Sequence, residues 1–253
     1  REVELVGIAS ARGVTARAAA GRFGFAYCAT DAAAILADPR INTVAVLTRH
    51  NMHARQAIAA LVAGKHVFVE KPLCLSEGEL EAVVAAYAAA QARAQAAGEP
   101  GPALMVGFNR RFAPMVVALR EQLAQVREPL LLSCRVNAGH IPPDHWTQDP
   151  AVGGGRLLGE GCHFIDLLAF LAGSEVRRVS ATALPDGGRY RRDNLLVTLE
   201  FANGSVGSLI YAAGGDRGFG KEAVEVFGGG LAARLDDYRS LRIRRGGVRV
   251  ERT

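Results

Sequence analysis

Apolar and polar positions in the first part of the chain follow two alternating patterns. Three short runs, at 3–10, 41–48 and 66–71, are almost continuously apolar and rich in valine and isoleucine, as expected for strands buried on both faces of a sheet. Segments at 15–24 and 51–64 have helical spacing and end at a glycine, which commonly closes a helix. This order predicts a β-α-β-α-β arrangement, and therefore a parallel sheet covered by helices.

The same pattern extends through the first 113 residues. A helix that Thr30 or Asp31 can cap and that Pro39 stops lies between the first two runs. A long helix over about 76–97 and a strand over 103–111 follow the third run.

After about Pro114 strands become more frequent. A helix, a strand, a loop rich in Gly, Pro and His and an amphipathic helix are predicted first, at 113–126, 130–137, 138–155 and 157–173. The remaining residues are mostly strands, at 178–184, 194–213, 223–237 and 240–252. The chain is therefore predicted to be an α/β protein with a parallel-sheet domain at 1–113 and an α+β domain with a large, mostly antiparallel open sheet at 114–253.

Two glycine-containing turns lie among these strands. Asn203 and Gly204 predict a two-residue hairpin turn, because both central positions of such a turn favour positive φ. Gly228, Gly230 and Ala233 match the G-x-G-x-x-A pattern of dinucleotide-binding turns, but the residues after them read as a strand and not as a helix. We therefore expect a hairpin turn at this position as well.

Composition indicates a soluble globular protein. The 253 residues are 49% hydrophobic, with a mean hydropathy of +0.12, and the longest apolar stretches are broken by Arg and Gln, so no membrane span is predicted. No signal peptide opens the chain, which makes a cytoplasmic location the default expectation. The four cysteines are scattered without a C-x-x-C pair, so neither a disulfide framework nor a metal site is predicted.

The net charge of +5 comes partly from the segment 239–253, which holds six arginines. These arginines alternate with Leu, Ile and Val, no aromatic residues lie among them, and no groove-reading motif is present. A solvated strand face is therefore favoured over a nucleic-acid site, and attraction of an anionic cofactor or substrate is a further interpretation.

Chemically useful residues follow the strand in "GKHVFVEKPL" (64–73), where Glu70, Lys71 and Pro72 come directly after the apolar run. Ligands of parallel sheets bind at the carboxyl ends of the strands. A lysine that is partly desolvated there beside a cationic ring gives up its proton more readily and can relay a proton to or from a hydroxyl. An ordinary strand-end lysine in a surface turn is the alternative.

A second cluster lies in "GGGRLLGEGCHFIDLL" (153–168). His163 and Asp166 are three residues apart on one helical face, and Glu160 lies one turn before His163. A histidine flanked by acids near a helix start can act as an acid or base. Alternatively, His163 and Asp166 bond only to each other or to the main chain.

These two segments, with "VAVLTRHNMHARQAIAALVAG" and "MVGFNRRFAP", resemble the family of glucose-fructose oxidoreductase, inositol dehydrogenase and MocA (Gfo/Idh/MocA). The resemblance implies a Rossmann-type domain, then a substrate-binding and dimerisation domain, and hydride transfer between NAD(P) and a secondary alcohol or keto carbon of a sugar, cyclitol or sugar derivative. It also implies a homo-oligomer. The variant of the motifs is most similar to a branch that follows a zinc-type alcohol dehydrogenase domain, so an upstream fused domain is expected.

The resemblance also implies roles for individual residues. Lys71 and His163 match the catalytic pair, and Glu160 is predicted to assist them because the position of the family's aspartate is Gly159 here. Predicted cofactor-binding residues are Ser10, Arg12, Thr48, His50, His53, Glu70, Lys71 and Pro72. Predicted substrate-binding residues are Asn109, Arg111, His140, Trp146 and Asp166.

The identity of the cofactor depends on the end of the first strand. An acid there binds the ribose of NAD, whereas a small polar residue followed by arginine suits the phosphate of NADP. Ser10 and Arg12 therefore favour NADP over NAD.

One family feature is missing from the sequence, namely a first strand followed by the glycine-rich turn that holds the pyrophosphate. The chain is therefore expected to lack about thirty N-terminal residues, on the usual length of one βα unit. The alternative function is that of a truncated or degenerate homologue that binds a sugar-like ligand, or serves as an interaction domain, without turnover.

Overall fold

The computed structural model describes residues 3–252. The chain divides into two compact units, Arg1–Gly107 and Phe108–Thr253. The division lies before the boundary predicted after residue 113, because the short 3-10 turn Asn109–Phe112 packs against helices of the second unit.

The first unit alternates strands and helices, as predicted. Its strands are β1 (Gly7–Ala9), β2 (Tyr27–Ala29), β3 (Thr43–Val46), β4 (His66–Val69) and β5 (Leu104–Val106). Its helices are α1 (Gly13–Phe23), α2 (Ala32–Ala37), α3 (His53–Val62) and α4 (Glu77–Ala97).

All strand pairs in this unit are parallel, but they form two separate pieces. β1 pairs with β2, and β4 lies between β3 and β5. Within residues 3–252 no ladder joins β1 to β3. The predicted parallel sheet is thus confirmed in direction and helix alternation, whereas β2 was not predicted, because it is short and its Cys28 is exposed.

A small apolar core holds the three-stranded piece against two helices. Ala57, Ala60 and Leu61 of α3 lie one helical turn apart and contact Val67 and Val69 of β4 in the same buried cluster. Small alanines on the inner face of α3 allow the helix to lie close to the sheet.

The second unit is an eight-stranded sheet with two helices, α5 (Pro114–Leu123) and α6 (Cys162–Ala172). Its strands lie in the order β13-β12-β11-β10-β6-β9-β8-β7. Their bounds are β6 Leu131–Asn137, β7 Val176–Ala183, β8 Asn194–Phe201, β9 Val206–Ala212, β10 Glu222–Gly228, β11 Leu231–Asp236, β12 Ser240–Arg245 and β13 Val248–Arg252. Among these described strands only β6 and β9 are parallel, so the predicted mostly antiparallel sheet is confirmed.

The two glycine-containing turns have different outcomes. Gly229 and Gly230 connect β10 to β11 with φ of 55° and 72°, so the predicted hairpin turn is confirmed. The prediction of a two-residue turn at Asn203 and Gly204 is wrong, because the turn is longer. The main-chain N–H of Phe201 donates to Ser205, and the three residues between them form the loop with only Gly204 at positive φ, a common three-residue hairpin geometry.

The helices cover one face of the large sheet. Phe164, Leu167, Leu168 and Leu171 of α6 are fully buried, together with inward-facing residues of β6 and its neighbours. The opposite face carries exposed apolar residues in a row, because the register pairs Leu131 with both Val206 and Phe227.

Candidate active site

The carboxyl ends of three parallel strands lie level with one another in the first unit. The register pairs Val46 with Val69 and Val69 with Val106, the last residue of each strand. The ladder continues one step further, since the N–H of Glu70 donates to Val46 at 2.9 Å. Thr48 and Lys71, two residues beyond these ends, therefore leave the same edge of the sheet, as predicted.

The segment that carries Lys71 is tightly held. The Lys71–Pro72 peptide bond is cis, a feature that the sequence analysis did not include, and Pro72 is buried while Lys71 is half-buried. The carboxylate of Glu70 accepts a hydrogen bond from the main-chain N–H of Lys71 at 3.2 Å. It also lies beside Gly107, where an added Cβ would approach Oε1 to 3.3 Å. Glu70 thus packs within the strand ends.

His53 occupies the first position of α3 and is 1% exposed. Its Nδ1 lies 2.7 Å from the carbonyl oxygen of Pro72, and its Nε2 lies 2.9 Å from that of Thr48. Both ring nitrogens thus lie within hydrogen-bonding distance of main-chain carbonyl oxygens, and the cofactor-binding role of His53 remains a prediction. His50 is also buried, with its ring centroid 5.7 Å from that of His53.

Ser10 and Arg12 lie at the carboxyl end of β1. The N–H of Ser10 continues the ladder by donating to Ala29 at 3.2 Å. Arg12 is exposed and precedes the first turn of α1. The turn from Ala9 to Gly13 contains no carboxylate, as the argument for NADP requires.

In the second unit, His163 lies in the first turn of α6 and is buried. The ring of Phe108 meets it edge to face, with centroids 6.1 Å apart. A π-helical turn, Leu157–Gly161, leads directly into α6. The sequence pattern predicted an uninterrupted helix here, whereas the structure begins it with a π turn, a feature that is frequent at functional sites.

Glu160 lies in this π turn and bonds to three side chains. Arg156 donates at 2.8 Å, Tyr211 at 2.5 Å and Lys221 at 2.7 Å. Burial raises the pKa of Glu160, but the hydrogen bonds from Lys221, Tyr211 and Arg156 outweigh burial and lower the pKa to about 2. A carboxylate held in this way stays ionised at neutral pH, and the assisting role of Glu160 remains a prediction.

Two predicted substrate-binding residues, Arg111 and Asp166, form an ion pair with each other. Both carboxylate oxygens of Asp166 accept from Arg111, one of them at 2.9 Å from Nε. Burial raises the pKa of Asp166, and the ion pair with Arg111 opposes this effect. Arg110 makes a similar two-bond pair with the buried Glu222, at 2.6 and 2.9 Å.

The remaining predicted substrate residues differ in their exposure and contacts. Asn109 is exposed. His140 is half-buried, with its ring edge to face against Tyr190 at 5.9 Å. Trp146, also half-buried, begins a short 3-10 turn.

The sequence analysis missed three residues of the Glu160 cluster, which are Arg156, Tyr211 and Lys221. Arg156 is 4% exposed and lies over the ring of Tyr211 at 5.4 Å. The spacing of Arg156 and Glu160 four residues apart was an available signal, since such pairs meet on a helix. The distant Tyr211 and Lys221 carried no local signal.

The described part of the chain contains no group of three His, Cys, Asp or Glu side chains that could hold a metal ion. Over the same residues, no helix combines the length and apolarity needed to cross a bilayer.

A Rossmann-type parallel unit followed by a large, mostly antiparallel sheet defines a nucleotide-binding class of fold. Residues 1–97 match the model described as "Oxidoreductase family, NAD-binding Rossmann fold", and residues 125–229 match the C-terminal domain of the same family. The chain belongs to the Gfo/Idh/MocA family of oxidoreductases.

Individual relatives agree with this assignment. Levoglucosan dehydrogenase of Pseudarthrobacter phenanthrenivorans is 30% identical over 232 residues, covering 80% of this chain and 57% of its own. Inositol 2-dehydrogenase of Rhizobium meliloti is 28% identical over 251 residues, covering 96% of this chain and 71% of its own.

Solved structures show the same fold. Levoglucosan dehydrogenase in complex with NADH superposes with a TM-score of 0.82 at 26% identity, over 99% of this chain and 70% of that one. An oxidoreductase domain protein from Kribbella flavida gives 0.81 at 26% identity, over 98% and 71%. This chain therefore spans between about half and three quarters of the length of these relatives.

Replacing Glu160 tests its structural role. We expect Glu160→Gln to lower the free energy of unfolding of the second unit by roughly 2 kcal/mol at pH 7, because charge-assisted hydrogen bonds are lost. The folded-state pKa of about 2 is below the ordinary 4.5, so the wild-type contribution is fully present above pH 4.5 and is lost as the pH falls toward 2. Urea unfolding, followed by the fluorescence of Trp146, measures the difference between pH 7 and pH 3.

Glu200→Gln is the matched control, because the carboxylate of Glu200 is half exposed and pairs with the exposed Arg178 at 3.3 Å. Its effect should be close to zero. A difference between Glu160→Gln and wild type that does not shrink on acidification would contradict the assignment.

Proposed function

We propose that the chain acts in NAD(P)-dependent hydride transfer at a secondary alcohol or keto carbon of a sugar, cyclitol or sugar derivative. The observation that carries this proposal is the half-buried Lys71 at the level carboxyl ends of β3, β4 and β5, where parallel sheets bind ligands. The names of relatives that act on levoglucosan and inositol support the substrate class.

The residues at the strand ends fit a dinucleotide. Arg12 is exposed at the start of α1 without a competing carboxylate in its turn, and Thr48 leaves the sheet at the same edge as Lys71. When bound, NAD(P) accepts or donates the hydride. Gly107 keeps the end of β5 free of a side chain beside Glu70.

Lys71 is the proposed proton relay. In the oxidation direction the substrate C–H bond breaks with both electrons leaving as hydride, and the hydroxyl proton passes to Nζ of Lys71, so that a C=O bond forms. In the reverse direction Lys71 returns the proton to the carbonyl oxygen. His163 is proposed as a further acid or base of the reaction, on the resemblance of its motif and its place in the first turn of α6.

Substitutions of Lys71 distinguish a role in proton transfer from a role that needs only its positive charge. We expect Lys71→Met to lower kcat about 10²-fold to 10⁴-fold, the usual contribution of a positioned acid or base. Lys71→Arg keeps the positive charge but holds its proton firmly, so it should be as slow as Lys71→Met. Absorbance of the reduced nicotinamide with a panel of polyols and their ketones measures the rates.

Two results would count against this role. Full activity of Lys71→Arg would show that charge alone is needed. A wild-type chain that binds sugars but neither nucleotide would favour a ligand-binding homologue without turnover.

The cofactor preference rests on Arg12. We propose that NADPH binds more tightly than NADH, and we expect Arg12→Ala to weaken NADPH binding about tenfold, the worth of a charge-assisted hydrogen bond, while leaving NADH binding unchanged. Arg17→Ala is the matched control, because Arg17 is an exposed arginine of the same helix. Nucleotide fluorescence titrations decide the question, and equal losses for both nucleotides would contradict the proposal.

The chain is also proposed to form a homodimer through the uncovered face of its large sheet. Leu131, Val206 and Phe227 form a row across three adjacent strands, and Phe227 is 45% exposed. Contiguous exposed apolar patches commonly mark interfaces.

We expect Phe227→Glu to shift the chain from dimer to monomer, as measured by light scattering after size-exclusion chromatography. Val179 is similarly exposed but shares the opposite face with the buried Leu199, so Val179→Glu should remain dimeric. A monomeric wild type at all concentrations, or a Phe227→Glu dimer of unchanged affinity, would refute this interface.

A further inference from the structure

The imidazole of His53 connects the ends of two neighbouring strands. Its Nε2 lies 2.9 Å from the carbonyl oxygen of Thr48, which follows β3, and its Nδ1 lies 2.7 Å from that of Pro72, which follows β4. The side chain is 1% exposed, so water does not compete for either contact. Carbonyl oxygens only accept hydrogen bonds, so the ring is the donor, from whichever nitrogen carries the proton.

The main chain of Lys71 lies between two fixed points. On one side, the N–H of Glu70 donates to Val46 at 2.9 Å and continues the β3–β4 ladder. On the other side, Pro72 has no N–H and is held through its carbonyl oxygen by His53. Because the ladder ends at Glu70, the main-chain direction of Lys71 is set by the hydrogen bonds of the two residues on either side of it.

The position of His53 at the start of a packed helix limits the movement of its ring. His53 is the first residue of α3, which packs on β3 and β4 through the buried Ala57, Ala60 and Leu61. Because the ring is fixed to this packed helix, the helix holds the strand ends that the ring contacts in place. Buried hydrogen bonds to the main chain are well suited to this role, since losing one leaves an unsatisfied oxygen.

We propose that His53 is a positioning residue that sets the direction in which Lys71 leaves the sheet. This inference rests on the proposed role of Lys71 as the proton relay. It assigns His53 a task through the main chain and no contact with substrate or cofactor.

The test compares three variants of the full chain. His53→Phe keeps a ring of similar shape but has no donor, and His53→Gln keeps an amide donor for one of the two oxygens. His66→Phe is the matched control, because His66 is an exposed histidine at the opposite end of β4.

Two quantities are measured for each variant, after its unfolding transition has shown that the protein is folded. The first is the acetylation rate of Lys71 relative to Lys65 in the same sample, read by mass spectrometry, which needs neither cofactor nor turnover. The second is whether any loss of activity comes from a lower kcat or from a higher KM.

We expect His53→Phe to change the relative acetylation rate of Lys71 severalfold and to lower kcat about 100-fold with little change in KM, as for a misplaced catalytic group. His53→Gln should recover part of both effects, and His66→Phe should show neither. Unchanged acetylation of Lys71 in folded His53→Phe or His53→Gln would overturn the inference. If the wild type turns over no sugar, the proposed function fails, but the acetylation rates still decide whether His53 positions Lys71.

Discussion

The in-register pairing of β3, β4 and β5 is the constraint on which the candidate site depends. Because parallel strands place their carboxyl ends at one edge, the level pairs at Val46, Val69 and Val106 bring residues distant in sequence to the same place. Because the strands are short, the path of the main chain beyond their ends is set by a few further hydrogen bonds. The ladder step at Glu70 and the ring of His53 supply those bonds around Lys71.

Burial explains why two acids of the predicted site are held by close positive or hydrogen-bonding partners. A buried carboxylate is costly unless it is paired and hydrogen-bonded. Glu160 meets this requirement with three donors and Asp166 with the guanidinium of Arg111.

The sequence predicted those features that depend on local pattern. Continuous apolar runs identified the parallel strands, and the triple glycine before Leu231 correctly indicated a hairpin. Features set by distant contacts were not predictable in the same way. The short β2 has no strong pattern of its own, and the loop at Asn203 is lengthened by the pairing of Phe201 with Ser205.

The candidate site shows the same division. The motif around Lys71 predicted its place at a strand end, because that place follows from the strand alone. The hydrogen-bond partners of His53 and Glu160, such as Pro72 and Tyr211, were not predicted, because they are distant in sequence or come from other elements. Residue type indicated that these side chains are chemically important, but only the fold shows which atoms they bond.

The most direct test of the central claim is an NMR titration of the ¹⁵N-labelled chain with NADH and NADPH. We predict that the main-chain amides of Thr48 and Lys71, at the carboxyl ends of the strands, shift on binding, and that those of Thr43 and His66, at the amino ends, do not. Shifts confined to the amino ends, or no shifts with either nucleotide, would contradict a dinucleotide site at the edge where Lys71 lies.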